Sequence, residues 1–127
     1  MRTGFKAVML AAALLAGCTD QVVDTPAIRR VENARQSGLP TVVEFGSETC
    51  ASCRTMHGVM ENVTNLTQGR AHVLVMDILK QEGLIGQYRI QAMPTQVFFD
   101  ASGREVKRNM GLMSEAQVLA ALGLGTP

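Results

Sequence analysis

Two cysteines separated by two residues, Cys50-Ala51-Ser52-Cys53, follow closely on the apolar run Thr41-Val42-Val43-Glu44-Phe45. Thiols at this spacing, where a buried strand gives way to a helix, can open and close a disulfide with little backbone movement. A helix that starts at Cys50 directs its unpaired N–H groups and the positive end of its dipole at the first sulfur. Both effects favour the thiolate, which is the nucleophile of disulfide exchange. Cys-x-x-Cys is also metal-ligand spacing, half of a zinc site. The chain holds only one further cysteine, Cys18, so no second pair completes such a site. Dithiol–disulfide chemistry is the expectation.

His57 lies four residues after Cys53, one helical turn along the same face. With Cys50, Cys53 and the thioethers of Met56 or Met60 it would make a soft ligand set suited to copper(I). A tethered metallochaperone is therefore the alternative function, set against a solvated helix histidine beside core methionines. Arg54 could stabilise a Cys50 thiolate and Glu48 would oppose it; neither is assigned a role. No metal is expected in the main reading.

Cys18 has a separate explanation. Arg2 and Lys6 precede an apolar stretch from Ala7 to Ala16, which ends in Leu15-Ala16-Gly17-Cys18. A basic start, a short apolar core and a small-residue cleavage point make a secretory signal, too short for a membrane-spanning helix. Its ending resembles the lipobox of bacterial lipoproteins, whose cysteine is acylated and becomes the new N-terminus. The expected organisation is a leader over 1–17, a lipidated tether over 18–25 and one domain over 26–127. The domain then sits in the cell envelope, facing the periplasm or the cell exterior, where disulfides persist. Between outer and inner membrane the residues after Cys18 give no clean choice. Without Arg2 and Lys6, ten of the twelve basic residues stand against eleven acidic ones. That balance offers no basic patch for nucleic acid and no charge block for an electrostatic partner.

The elements that must position the pair read as alternating helices and strands. Thr25-Pro26 caps and opens a helix with Ile28, Val31 and Ala34 at three-residue spacing. Strand 41–46 precedes a helix from about Cys50 to Leu66, with Met56, Val59, Met60 and Val63 on one side. His72 to Asp77 is a second buried strand, and a short helix is expected from about Lys80 to Tyr88. Thr95 to Asp100 and Arg104 to Met110 form a hairpin about Ala101-Ser102-Gly103, the second strand alternating in polarity at the sheet edge. Ser114-Glu115-Ala116-Gln117 is a capping box that opens a last helix through Leu122. This order predicts an α/β sandwich with a mixed sheet.

Val-Val-Glu-Phe before the cysteine pair, Met76-Asp77, the segment Tyr88-Arg-Ile-Gln-Ala-Met-Pro-Thr95 and Gly111 after the hairpin resemble thioredoxin in order and spacing. The match covers about residues 39–124. The resemblance implies a three-layer sandwich around a four-stranded mixed sheet, in the order 72–77, 41–46, 95–100, 104–110. It implies that Pro94 is cis and faces the dithiol, that Cys50 attacks, and that Cys53 resolves the mixed disulfide. It also places Glu44 where thioredoxin has a buried aspartate, as proton acceptor for Cys53. Strand alternation alone leaves open whether Glu44 or its neighbours Val43 and Phe45 face the core on that side. Met93, with its backbone unpaired beside the dithiol, is implied to bind an extended substrate strand.

The departures are specific. Thr49 stands in place of the tryptophan before the first cysteine, Ala-Ser in place of Gly-Pro, Val73 in place of a lysine, and Gly58 in place of the helix-kinking proline. The chain is more similar to envelope-tethered thioredoxin-like proteins. The resemblance implies a monomeric thiol–disulfide oxidoreductase without a dissociable cofactor. Ala51 and Ser52, which add no cation between the cysteines, and the nearby Glu44 and Glu48 point to a protein-disulfide reductase. Its partners would be disulfide-bearing envelope proteins, a membrane electron donor and, through Cys18, the membrane itself.

Overall fold

The computed structural model describes residues 23–125. The expected leader over 1–17 and the expected lipidation site Cys18 lie outside the described residues. Four helices and four strands follow in the order α1 (Pro26–Arg35), β1 (Thr41–Gly46), α2 (Ala51–Thr67), β2 (His72–Asp77), α3 (Leu84–Tyr88), β3 (Thr95–Phe99), β4 (Glu105–Met110) and α4 (Glu115–Ala121). The sheet order is β2-β1-β3-β4, with β1 and β2 parallel and the other two pairings antiparallel. That is the order expected from the sequence, and the three-layer arrangement holds as well.

Helix ends follow local chemistry. Thr25 caps α1 by accepting from the Ile28 N–H, and Pro26 fills a first-turn position where its missing donor costs nothing. Ser114 and Gln117 form the reciprocal capping box of α4. The segment expected to be helical from about Lys80 begins only at Leu84. Asp77 Oδ1 accepts from the Leu79 and Lys80 N–H groups at 2.9 and 3.2 Å, which holds a turn in place of a helix. Gly83, at φ +83°, then resets the chain before α3.

The two faces of the sheet bury separate cores. Val43, Phe45, Met76, Val97 and Phe99 pack against α1 and α3. Val42 and Phe98 pack against Met56, Met60 and Val63 of α2 and Val118 and Leu119 of α4. Both faces of β1 are therefore buried, as in strands covered by helices on each side. The edge strand β4 departs from its alternating sequence. Val106 and Met110 are exposed, and the half-buried residue is the polar Asn109.

Candidate active site

A tight turn delivers Cys50 from β1 to α2. The Cys50 N–H donates to the Ser47 carbonyl, and the Ser47 and Thr49 hydroxyls lie 3.0 Å apart. Cys50 is the N-cap of α2, one residue before the helix expected to start with it. Its Sγ accepts from the Cys53 backbone N–H at 3.3 Å, so an orphan helix donor points at the first sulfur. The Ser52 hydroxyl lies 3.3 Å from the same sulfur. In the sequence alone Ser52 is only a neutral hydroxyl between the two cysteines. Its place in the first turn of α2, two residues after the N-cap cysteine, is the available signal. Cys50 and Cys53 are joined in a disulfide, with Cα atoms 5.2 Å apart. Cys50 is half-buried and Cys53 is 4% exposed, so an incoming group meets Cys50 first.

Glu44 lies on the α2 face of β1 and is 1% exposed. Burial pushes its carboxyl up to about 7, because a low-dielectric site penalises the charged form. Its Oε2 has no hydrogen-bond partner. Gly46, two residues along the same face, connects the carboxyl to the thiol. A methyl group there would stand 3.1 Å from Cys53 Sγ and 3.5 Å from Glu44 Oε1. The missing side chain keeps open the space that both groups border. Gly46 was not singled out from the sequence, where a glycine ending a strand reads only as a turn signal.

A cleft of about 600 Å³ opens beside these groups, lined by Glu44, Gly46, Cys53, His57, Val75 and Asp77 among others. His57 does share this cleft with Cys53, but its side chain is exposed. Among the described residues no group of three or more His, Cys, Asp and Glu side chains is placed to hold a metal ion. Arg54 donates to the Glu48 carbonyl at 3.0 Å and Glu48 pairs with Lys80, so both are engaged at the surface.

The Met93–Pro94 peptide bond is cis. Phe45 of β1 pairs with Thr95 of β3, so Met93 and Pro94 stand at the end of the sheet from which the chain leaves β1 toward Cys50. Pro94 is buried, and its carbonyl accepts from the Gly111 N–H at 2.8 Å. Met93 is 37% exposed, and among the described residues its backbone makes no hydrogen bond.

The sequence profile of the thioredoxin-like domain family matches residues 29–125. A thioredoxin-like protein of Synechocystis is 31% identical over 86 residues, which cover 68% of this chain and 81% of that one. The thioredoxin of Rickettsia conorii is 27% identical over 84 residues, 66% of this chain and 79% of the relative. Chloroplastic thioredoxin z superposes with a TM-score of 0.66 at 28% identity, covering 75% of this chain and 86% of that structure. Sheet order, cysteine placement and sequence thus agree, and the chain belongs to the thioredoxin-like family, whose fold and Cys50–Cys53 pair support a thiol–disulfide oxidoreductase.

Proposed function

We propose that the protein is a lipid-anchored, extracytoplasmic protein-disulfide reductase that exchanges disulfides at Cys50 and Cys53. The observation that carries this reading is the asymmetry of the pair. Cys50 is accessible and receives a helix N–H, whereas Cys53 is buried beside a carboxyl of raised proton affinity. In the reduced protein the Cys50 thiolate attacks one sulfur of a substrate disulfide. The Cys50–substrate bond forms, the substrate S–S bond breaks, and the departing sulfur leaves as a thiolate. Glu44 then takes the Cys53 proton. The Cys53 thiolate attacks Cys50 Sγ, forming the 50–53 disulfide and expelling the second substrate sulfur, which takes up a proton. The substrate gains two electrons and the protein loses two. A membrane partner must return them.

Met93 supports the substrate side of this reading, since its free backbone and exposed thioether offer an extended peptide both hydrogen bonds and soft apolar contact. Envelope location rests on the lipobox-like segment ending at Cys18, which this reading makes the acylated anchor. The direction of electron flow rests on charge. Glu44 disfavours a second negative group, Glu48 is neutralised by Lys80, and neither Ala51 nor Ser52 is a cation, so the thiolate is stabilised only moderately. The potential then falls on the thioredoxin side of about −180 mV. Two measurements on the full chain test the proposal together. Cys53→Ala should trap mixed disulfides with membrane-fraction proteins while Cys50→Ala traps none, and glutathione equilibration should place the wild-type potential below about −180 mV. No trapped species, or a potential near about −120 mV, sinks the reductase reading.

A further inference from the structure

Glu44 is not the only polar residue on the α2 face of the sheet. It lies directly opposite Gln96 on β3, and Gln96 lies directly opposite Asn109 on β4. The three side chains form a polar row across three strands, in a layer otherwise filled by Val42, Phe98 and the helix methionines. Gln96 is 0% exposed, as deeply buried as the core around it. A fully buried carboxamide is costly unless its hydrogen bonds are made.

One end of that carboxamide is satisfied and fixed. Asn109 Nδ2 donates to Gln96 Oε1 at 2.7 Å and to the Gly111 carbonyl at 3.3 Å. A carbonyl can only accept, so the Gly111 bond fixes which end of the Asn109 amide is the donor. That donor in turn requires oxygen from Gln96, and the Gln96 NH₂ is left pointing into the layer. Gln96 Nε2 is buried with no partner, and so is Glu44 Oε2 on the residue opposite. One is a donor only and the other, when ionised, an acceptor only. Directly opposed residues on one face of an antiparallel pair have Cβ atoms about 5 Å apart. Both groups turn on soft terminal torsions.

We propose that Gln96 is the positioning residue of the Glu44 carboxyl: anchored at Oε1 by Asn109, it donates from Nε2 to Glu44 Oε2 and leaves Glu44 Oε1 to face Cys53. The functional part of this inference rests on Glu44 being the proton acceptor for Cys53. The bond is strongest to the carboxylate, so it holds Glu44 ionised to lower pH than burial alone would allow. It also divides the two oxygens, one serving the anchor and one the thiol. The other charged groups that line the cleft beside Glu44 are Arg30 of α1, Glu48 before α2, Arg54, His57 and Glu61 of α2, and Asp77 ending β2. None of them hydrogen-bonds Glu44 in the structure. β3 and β4 present only the uncharged Gln96 and Asn109 to it.

The test is a pH titration of the Glu44 side-chain carboxyl by carbon NMR on the full chain, with the rate of mixed-disulfide resolution measured across the same pH range. Gln96→Met keeps the length and removes the donor. Its Glu44 midpoint should move alkaline by about one pH unit, a tenfold change in proton affinity. The rate profile should move with it. Asn109→Leu, which only frees the anchored end, should give a smaller shift in the same direction and serves if Gln96→Met does not fold. A midpoint unchanged in the folded variants overturns the inference. A shifted midpoint beside a Glu44→Gln variant of unaltered resolution rate would support the Gln96–Glu44 bond while removing the proton-acceptor reading. An unshifted midpoint beside a slowed Glu44→Gln variant would do the reverse.

Discussion

Glu44 and Phe45 are chain neighbours on one strand, equally buried, and they serve opposite faces of the sheet. Phe45 enters a layer whose buried polar sheet residues, Thr41 and Thr95, both donate from their hydroxyls to backbone carbonyls, and its ring lies 5.0 Å from that of Tyr88. Glu44 enters a layer whose far end is apolar but whose end near Cys53 carries a carboxyl, a carboxamide and two polar atoms without partners. On the first face the buried sheet hydroxyls are paired, whereas on the second Glu44 Oε2 and Gln96 Nε2 are buried without partners. The sheet residues of the α1–α3 side thus keep their side-chain polar atoms satisfied, and the side under α2 holds, beside Cys53, a carboxyl that burial keeps from its preferred charge state. A domain of this size can carry such a site because its second core is independent of it.

Cutting back the apolar face should give the largest effect. Phe45→Ala removes a fully buried ring among Tyr88, Val97 and Phe99 and should cost about 3–5 kcal/mol, read from urea unfolding of the oxidised protein. The exchange chemistry of the molecules that remain folded should be unaltered. A loss below about 1 kcal/mol would mean that the two faces do not divide the work as described.

Removing the charge from the other face should act with the opposite sign. Burial pushes the folded Glu44 carboxyl up to about 7 from 4.5 when unperturbed. Between those values the folded state binds the proton more tightly than the unfolded one, so stability falls as pH rises through that window. The loss is absent below about pH 4.5, complete above about pH 7, and amounts to at most roughly 3 kcal/mol. Glu44→Gln should abolish this slope. At pH 8 the variant should be more stable than wild type by up to about 3 kcal/mol, and at pH 4 it should hold no such advantage. It should also resolve mixed disulfides more slowly near neutral pH, since an amide cannot take the Cys53 proton. Parallel stability curves for the two proteins between pH 4 and 8 would show that Glu44 ionises freely, and the contrast between faces would lose its electrostatic content.

The frame of this contrast was legible in the sequence. Hydrophobic runs, the caps at Thr25 and Ser114 and the hairpin glycine are local signals, and the elements that they mark lie close to their expected bounds. What was not legible is relational. Alternation along β1 could not say that Glu44 faces inward, because with helices on both sides of the sheet either face is core. The polar row of Glu44, Gln96 and Asn109 depends on the pairing register of three strands, which no single segment contains. Asn109 was hidden by the pattern of β4, where Val106 and Met110 marked the apolar face and a polar residue turned out to be the half-buried one. Gly46 matters through a side chain that it lacks. The late start of α3 could have been read from Asp77 followed by Gly83, had turn chemistry been weighed against helical spacing.

The smallest expected effect sharpens the contrast at the pair itself, where one sulfur faces outward from the polar layer. The Ser52 hydroxyl lies 3.3 Å from Cys50 Sγ, and the Cys53 N–H reaches the same atom. A hydroxyl donating to a thiolate stabilises the reduced form, and a better stabilised reduced form makes the disulfide more oxidising. Ser52→Ala therefore removes one of two donors and should lower the potential. A single hydrogen bond of about 0.7 kcal/mol corresponds to about 15 mV for a two-electron couple. The backbone donor of α2 remains, so the shift should stay small and the rate of attack by Cys50 should change by less than tenfold. Glutathione equilibration of the variant beside wild type resolves a difference of this size. A potential that rises, or does not move, would assign the Ser52 hydroxyl to helix packing and leave the α2 terminus as the source of thiolate stabilisation.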